Sequence, residues 1–174
     1  QEDSVVVRMM EQIADRLQDV GYERYEVSSF ARGDHRSLHN QGYWMGRPYL
    51  GAGPGAHGLR HLSSGGWERY QSVVSIRTWL EYWGESNVGL KTAWVEPLDE
   101  DIRFEERVLT QVRLGDPFSI RPEFLLEHRH RDWSNGVDEA IRRGWLAKTS
   151  HTMLRTTNVG MRFADSLGFL LIGG

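Results

Sequence analysis

The sequence predicts two unlike parts, an α/β portion to about residue 98 and then a mainly helical portion with a small two-stranded wing. Three observations point there. Apolar residues recur at helical spacing over 4–20, and an aromatic and β-branched run over 22–30 follows directly after Gly21. Helix, glycine, then strand is one step of a parallel α/β sheet. A composition shift at 88–98 ends in Glu96-Pro97-Leu98 and marks the boundary. Beyond it the order reads helix, helix, helix, strand, strand, helix.

The first helix places Val6, Met10, Ile13, Leu17 and Val20 on one face, with Glu11, Asp15 and Gln18 outside. Ser4 can cap its start, and Gly21 suits the position just past its end. The 22–30 run reads as a strand closed by the Ala31-Arg32-Gly33-Asp34 turn. Residues 59–62 and 67–71 flank Ser63-Ser64-Gly65-Gly66 as a hairpin. Ser75 caps a short helix that runs through Ile76, Trp79, Leu80 and Trp83 to Gly84. In the second portion, Asp99-Glu100-Asp101 opens a helix where acidic side chains favour the positive dipole end, and Gly115 stops it. Pro122 fits the first turn of the next helix. Val137, Ala140 and Ile141 mark a third, closed by Gly144. Residues 145–148 and 153–156 pair as a hairpin. Thr157 then caps a last helix with Met161, Ala164, Leu167 and Leu171 inward. This is winged-helix order. Trp79, Trp83, Trp133 and Trp145 fall on periodic positions and are expected in the core.

Composition narrows the function. With 39% hydrophobic and 26% charged residues the chain is globular, and no apolar run approaches the roughly 18 residues of a membrane span. A formal net charge of −3 gives no electrostatic reason for a nucleic-acid partner. Within the winged-helix order, the would-be recognition helix at 138–143 carries two acids against two arginines, so no basic stripe invites DNA. The chain has no cysteine, which excludes disulfides, cysteine-type zinc sites and a thiolate-ligated iron–sulfur cluster within it. Its acidic start, Gln1-Glu2-Asp3-Ser4, lacks the basic region of a signal peptide.

The most informative stretch is Ser37-Leu38-His39-Asn40-Gln41-Gly42-Tyr43-Trp44 with Tyr49-Leu50-Gly51-Ala52-Gly53-Pro54-Gly55-Ala56-His57-Gly58 a few residues on. It shows neither helical nor strand periodicity, and its aromatic content argues against disorder. It is expected to be an ordered loop built round a ligand. A neutral imidazole such as that of His39 is a common axial ligand for haem iron, and the rings beside it can wall a porphyrin. The alternative is that His39 and Asn40 hydrogen-bond the loop backbone and hold its shape. The glycine turn allows close backbone approach, either to a ligand or to a neighbouring segment. As a phosphate loop it fails, since no Lys-Ser/Thr follows. The pairs His35/His39 and His57/His61 have zinc-like spacing, but no third ligand is signalled. Glu105-Glu106 and the acids at 99–101 read as a solvated helix face, and His128-Arg129-His130-Arg131 as a basic helix end.

Three ordered blocks carry a resemblance: the run from Gly21-Tyr22-Glu23-Arg24-Tyr25-Glu26-Val27-Ser28 to Ser29-Phe30-Ala31-Arg32, then 39–44, then 49–58. Together they closely resemble the HemW-type haem-chaperone branch of the radical-SAM family, which is similar to the oxygen-independent coproporphyrinogen III oxidases. Residues 99–171 resemble that family's winged-helix-like carboxy-terminal domain by pattern. The resemblance implies that 1–98 are part of a radical-SAM barrel and 99–174 the winged-helix-like domain. A barrel of that type needs roughly 200 residues or more, so the expectation is a carboxy-terminal portion, not catalytic alone.

The family's His-Asn-x-x-Tyr motif, associated with haem, falls on His39, Asn40 and Tyr43, with Trp44 adjoining. The resemblance implies that His39 ligates the haem iron. It further implies that Gly53, Gly55, Ala56 and His57 lie near S-adenosylmethionine. A full-length relative carries a [4Fe–4S] cluster on three cysteines near its amino terminus, all absent from this chain. The implied activity is binding haem and passing it to an acceptor protein, itself unidentified and open to membrane association. The alternative is the oxidase, a radical decarboxylase of porphyrin propionates. The expected compartment is the cytoplasm, or the mitochondrion in a eukaryote.

Overall fold

The computed structural model describes residues 2–84, 91–119 and 133–173. Within them the chain divides into two compact units, 1–44 together with 108–174, and 45–107. This division does not fall at 98/99. Residues 99–107 stay with the preceding sheet because their side chains are tied to it, as described below.

The first unit opens with α1 (Glu2–Asp19), closed by bonds from Gly21 N–H to the Gln18 carbonyl (2.9 Å) and from Tyr22 N–H to the Leu17 carbonyl (2.9 Å). The helix is where the periodicity predicted it, but its apolar face is not inside. Val6 is 55% exposed, Met10 47% and Ile13 51%, and only Leu17 of this stripe is half-buried by described residues. The expected strand and parallel step are also corrected. Residues 22–30 form two short strands, β1 (Glu23–Arg24) and β2 (Phe30–Ala31), paired antiparallel through a turn in which Tyr25 N–H bonds the Ser29 carbonyl. All strand pairs among the described residues are antiparallel, and no closed barrel occurs.

Next comes α2 (Leu38–Trp44), treated below with the site. After the second unit the chain returns at Val108, in the last turn of α4 (Glu100–Gln111). It continues as α5 (Trp133–Arg142), β6 (Leu146–Lys148), β7 (Leu154–Thr156), α6 (Asn158–Arg162) and α7 (Ala164–Ile172). The β6–β7 hairpin lies where the sequence predicts it, but the single last helix expected after Thr157 is two, α6 and α7, broken at Phe163. The helix expected around Pro122 and the basic stretch 128–131 lie outside the described residues. The core holds Val112, Ala140, Trp145, Leu146, Leu167 and Leu171, all buried. Gly168 lets α7 close on α4, since a Cβ there would lie 2.7 Å from a Leu109 methyl.

The cap at Thr157 forms as read: its Oγ1 accepts from Gly160 N–H at 2.9 Å and donates to the Gly144 carbonyl at 2.6 Å. Thr157→Ala removes both bonds and is expected to cost about 1–2 kcal/mol, measured as a lowered urea midpoint.

The second unit is a three-stranded sheet, β3 (His57–His61), β4 (Trp67–Ser72) and β5 (Thr92–Leu98), with α3 (Ile76–Gly84) following β4. The β3–β4 hairpin and the Ser75 cap of α3 were predicted, and Thr78 N–H does bond Ser75 Oγ at 3.3 Å. The residues that end the composition shift, 92–98, form the edge strand β5. Pro97 is tolerated because only the strand's inner side pairs. Trp83, expected in the core, is 45% exposed on α3. Tyr70 is fully buried at the centre of the sheet.

The first two turns of α4 are bound to this sheet. Asp99 caps the helix, accepting from Ile102 N–H at 2.8 Å. Glu106 is not a solvated side chain but bonds Arg69 at 2.5 Å and Arg103 at 3.3 Å, and Glu96 completes the network on Arg69 at 2.9 Å. Burial would lower the Arg69 pKa, yet Glu106 and Glu96 together hold it above its ordinary value. The Arg103 guanidinium lies 4.3 Å from the Trp67 ring centroid and donates to the Gly46 carbonyl at 2.8 Å. No helix among the described residues is long and apolar enough to cross a membrane.

Candidate functional site

The residues 38–44 are helix, not loop. Seven residues make barely two turns, too few for an apolar period to register in a window of 11–18. Ser37 starts the helix. Its Oγ accepts from Asn40 N–H at 3.3 Å, and its carbonyl accepts from Gln41 N–H at 3.0 Å.

On α2, His39 and Tyr43 are four apart and share one face. His39 is exposed and Tyr43 is 45% exposed. Neither the His39 ring nor the Asn40 amide makes a hydrogen bond to any described residue. Among the described residues no side-chain contact of His39 or Asn40 supports the loop-shaping alternative. Trp44 points elsewhere. Its Nε1–H donates to Glu26 Oε2 at 2.5 Å, its ring meets Tyr43 edge-on at 5.5 Å, and the Arg113 guanidinium lies 5.5 Å from the Trp44 ring centroid. Glu26 is 1% exposed and also accepts from Ser28 Oγ at 3.2 Å.

The segment that bears Glu26 is itself tied down. Glu26 bridges Leu114, Val27 N–H bonds the Arg113 carbonyl at 3.0 Å, and Gly115 N–H bonds the Tyr25 carbonyl at 2.9 Å. Arg24 donates to the Glu26 and Val27 carbonyls. Burial, reinforced by the Arg162 charge and opposed by Glu26, holds its guanidinium below the usual range. Glu26 lies inside the first of the three matching blocks, yet the motif itself does not single it out. The available signal was an acidic residue in an otherwise aromatic and β-branched run.

The glycine turn lies in the second unit. Tyr49 and Leu59 exchange backbone bonds of 2.9 Å, which sets Gly51 directly against His57. A Cβ on Gly51 would stand 2.2 Å from the His57 carbonyl oxygen, and Gly51 N–H donates to Tyr70 Oη at 3.0 Å. Ser72 Oγ donates to the Gly53 carbonyl, Gln71 Nε2 to that of Gly55 at 3.4 Å, and Ser72 N–H to that of Ala56 at 2.9 Å. The turn is therefore packed and bonded onto β4. Gly53 has φ +107° with open space where a Cβ would be. The His57 ring sits edge-on to Trp94 at 6.4 Å. The two sets of predicted residues thus fall in separate units, 39–44 in the first and 53–57 in the second.

No group of three or more potential metal-binding side chains (His, Cys, Asp or Glu) occurs among the described residues, and the His35/His39 and His57/His61 pairs gain no third partner there. In α5, Glu139 pairs with both Arg142 and Arg143 at 2.5 Å. The Arg143 hydrogen bond holds the Glu139 carboxyl below its ordinary pKa against an opposing desolvation, with both arginine charges adding. The only two cations at the predicted recognition position are thereby matched by a carboxylate.

No family profile matches the chain. Coproporphyrinogen III oxidase (HemN) from Escherichia coli, described as a radical SAM enzyme, shares the fold with a TM-score of 0.64 at 14% identity, over 95% of this chain and 40% of that one. The fold is thus of the HemN type, with mixed helix and sheet. Sequence relatives narrow it. The heme chaperone HemW of Mycobacterium tuberculosis is 36% identical over 113 residues, 65% of this chain and 27% of the relative. A HemW-like protein of Buchnera aphidicola is 36% identical over 160 residues, 87% and 38%. The mitochondrial radical S-adenosyl methionine domain-containing protein 1 of Danio rerio is 48% identical over 56 residues, 32% and 13%. The chain belongs to the HemW-like radical-SAM family, and spans 13–38% of the length of these relatives.

Proposed function

We propose that this chain is the haem-holding portion of a HemW-type chaperone, with His39 the ligand of the haem iron. The observation that carries it is the placement of His39 on the exposed face of a helix whose opposite side is anchored. An imidazole with no hydrogen bond to a described residue has a nitrogen lone pair free to enter the iron's coordination sphere. Tyr43 shares that face and would help to hold the porphyrin, while Asn40 adjoins. Trp44 serves from beneath, fixing the helix through Glu26 rather than walling the porphyrin. The cargo then passes to an acceptor protein.

We further assign 1–98 to part of the radical-SAM barrel and 99–174 to a winged-helix-like domain, on the resemblance of their patterns. In the whole protein, Gly53, Gly55, Ala56 and His57 lie near S-adenosylmethionine. The turn's carbonyls at 53, 55 and 56 already accept bonds from β4, so Gly53, with open space at its Cβ position, is the residue that would receive that cofactor. A [4Fe–4S] cluster does not fit these residues, because the chain has no thiolate to hold one. The oxidase alternative has the fold likeness alone behind it.

Haem titration followed in the Soret region tests the reading. His39→Ala is expected to weaken binding at least tenfold, about 1.4 kcal/mol, with an unchanged far-UV circular dichroism spectrum. Superimposable titrations for wild type and His39→Ala would overturn it.

A further inference from the structure

We propose that Tyr25 and Glu26 are the positioning residues of the haem site, gripping the two ends of α2 so that His39 is presented outward, a role that rests on the haem reading above. Two consecutive residues reach opposite ends of one short helix. Tyr25 Oη accepts from Ser37 N–H at 3.1 Å, at the cap. Glu26 Oε2 accepts from Trp44 Nε1–H at 2.5 Å, at the last residue. A helix of seven residues is about 10 Å long, so fixing both ends fixes its axis and its rotation.

The rotation decides what His39 faces. At 3.6 residues per turn, Trp44 lies about 140° round the helix from His39, and Tyr43 only about 40°. Pulling Trp44 onto Glu26 therefore turns the His39–Tyr43 face away from the anchored side. Both grips are rigid. Tyr25 is 4% exposed and carries the Arg36 guanidinium 5.5 Å from its ring centroid, with Arg36 held to Asp116 at 2.7 and 2.9 Å. The Glu26 backbone is stitched to 113–115, as described above.

Glu26 is also a costly choice for mere packing. A carboxylate at this depth loses its hydration, and an apolar or amide side chain of similar size would fill the space at less cost. Both its oxygens are spent, one on Ser28 and one on Trp44. Only the Trp44 bond reaches the helix that carries His39.

Three variants of the chain test this: Glu26→Leu, which removes the acceptor, Glu26→Gln, which keeps one, and Trp44→Phe, which removes the donor. Haem affinity, Soret position and hydrogen exchange at the α2 amides are read for each. Glu26→Leu and Trp44→Phe are expected to weaken haem binding roughly fivefold, to shift the Soret band and to speed exchange at 41–44. Glu26→Gln should recover most of the affinity and the wild-type band. The double variant Glu26→Leu/Trp44→Phe should be no worse than either single one, because both cut the same bond. If Glu26→Leu fails to fold, Trp44→Phe decides. Wild-type affinity, band and exchange in Trp44→Phe would overturn the positioning role while leaving the haem reading intact. A wild-type chain with no Soret band would overturn the haem reading, and the haem role of the grip with it.

Discussion

Gly51→Ala is expected to destabilise the 45–107 unit by about 3 kcal/mol or more, whereas Gly53→Ala, two residues on, should cost only about 1–2 kcal/mol. The difference follows from what each new methyl group meets. At Gly51 it would stand 2.2 Å from the His57 carbonyl oxygen and 2.5 Å from its carbon. Neither atom can yield without parting Tyr49 from Leu59 and pulling Gly51 N–H off Tyr70 Oη. At Gly53 the methyl group enters open space, and the cost is the left-handed backbone alone, φ +107°. Urea denaturation followed by tryptophan fluorescence measures both. This ranking separates the two uses of a glycine-dense turn. Gly51 is glycine for packing. Gly53 has open space where a side chain would stand, so its variant tests the proposed S-adenosylmethionine contact at the smaller cost in stability. Equal midpoints for wild type and Gly51→Ala would mean the turn is looser than these contacts imply.

Elements with a long period or a cap were legible in the sequence. Residues 4–20 and 133–142 carry enough helical turns for an amphipathic pattern, and Ser75, Asp99 and Thr157 each make the side-chain bond that their position suggested. The 145–156 hairpin was readable because Gly144 and Thr157 bracket it. Shorter or two-sided elements were not. Helix α2 has two turns and one glycine, so it looked like loop. Strand β5 contains Pro97, which reads as a breaker unless the strand is known to be an edge.

The direction of α1 was right and its burial was not. An amphipathic stripe tells which face seeks cover, but not whether a described residue supplies it. At the site, the motif groups His39, Asn40, Tyr43 and Trp44 along what reads as loop, and only the structure sets His39 and Tyr43 on one face of a helix. A motif orders residues along the chain and is blind to the roughly 100° step between neighbours on a helix, which carries Trp44 round to Glu26. Glu26 escaped notice since its importance lies in a bond to a residue 18 positions away.

Leu167→Ala should be the most damaging simple truncation in the helical core, at about 2–5 kcal/mol. Leu167 has 0% exposure on α7, where its neighbour Gly168 is already pressed against Leu109 and Val112. That close approach leaves the helix little room to settle into the space a lost isobutyl group would open, which favours the upper half of the range. The variant also controls the functional test. Unit 1–44 with 108–174 holds both Leu167 and His39, so Leu167→Ala should lower haem affinity only as far as it lowers the folded fraction. His39→Ala should lower affinity with the unfolding midpoint unchanged. Plotting haem affinity against urea midpoint for the two variants distinguishes these causes. Should wild type, Leu167→Ala and His39→Ala all fall on one line, the loss at His39 would be a loss of fold, and the imidazole would not be the ligand.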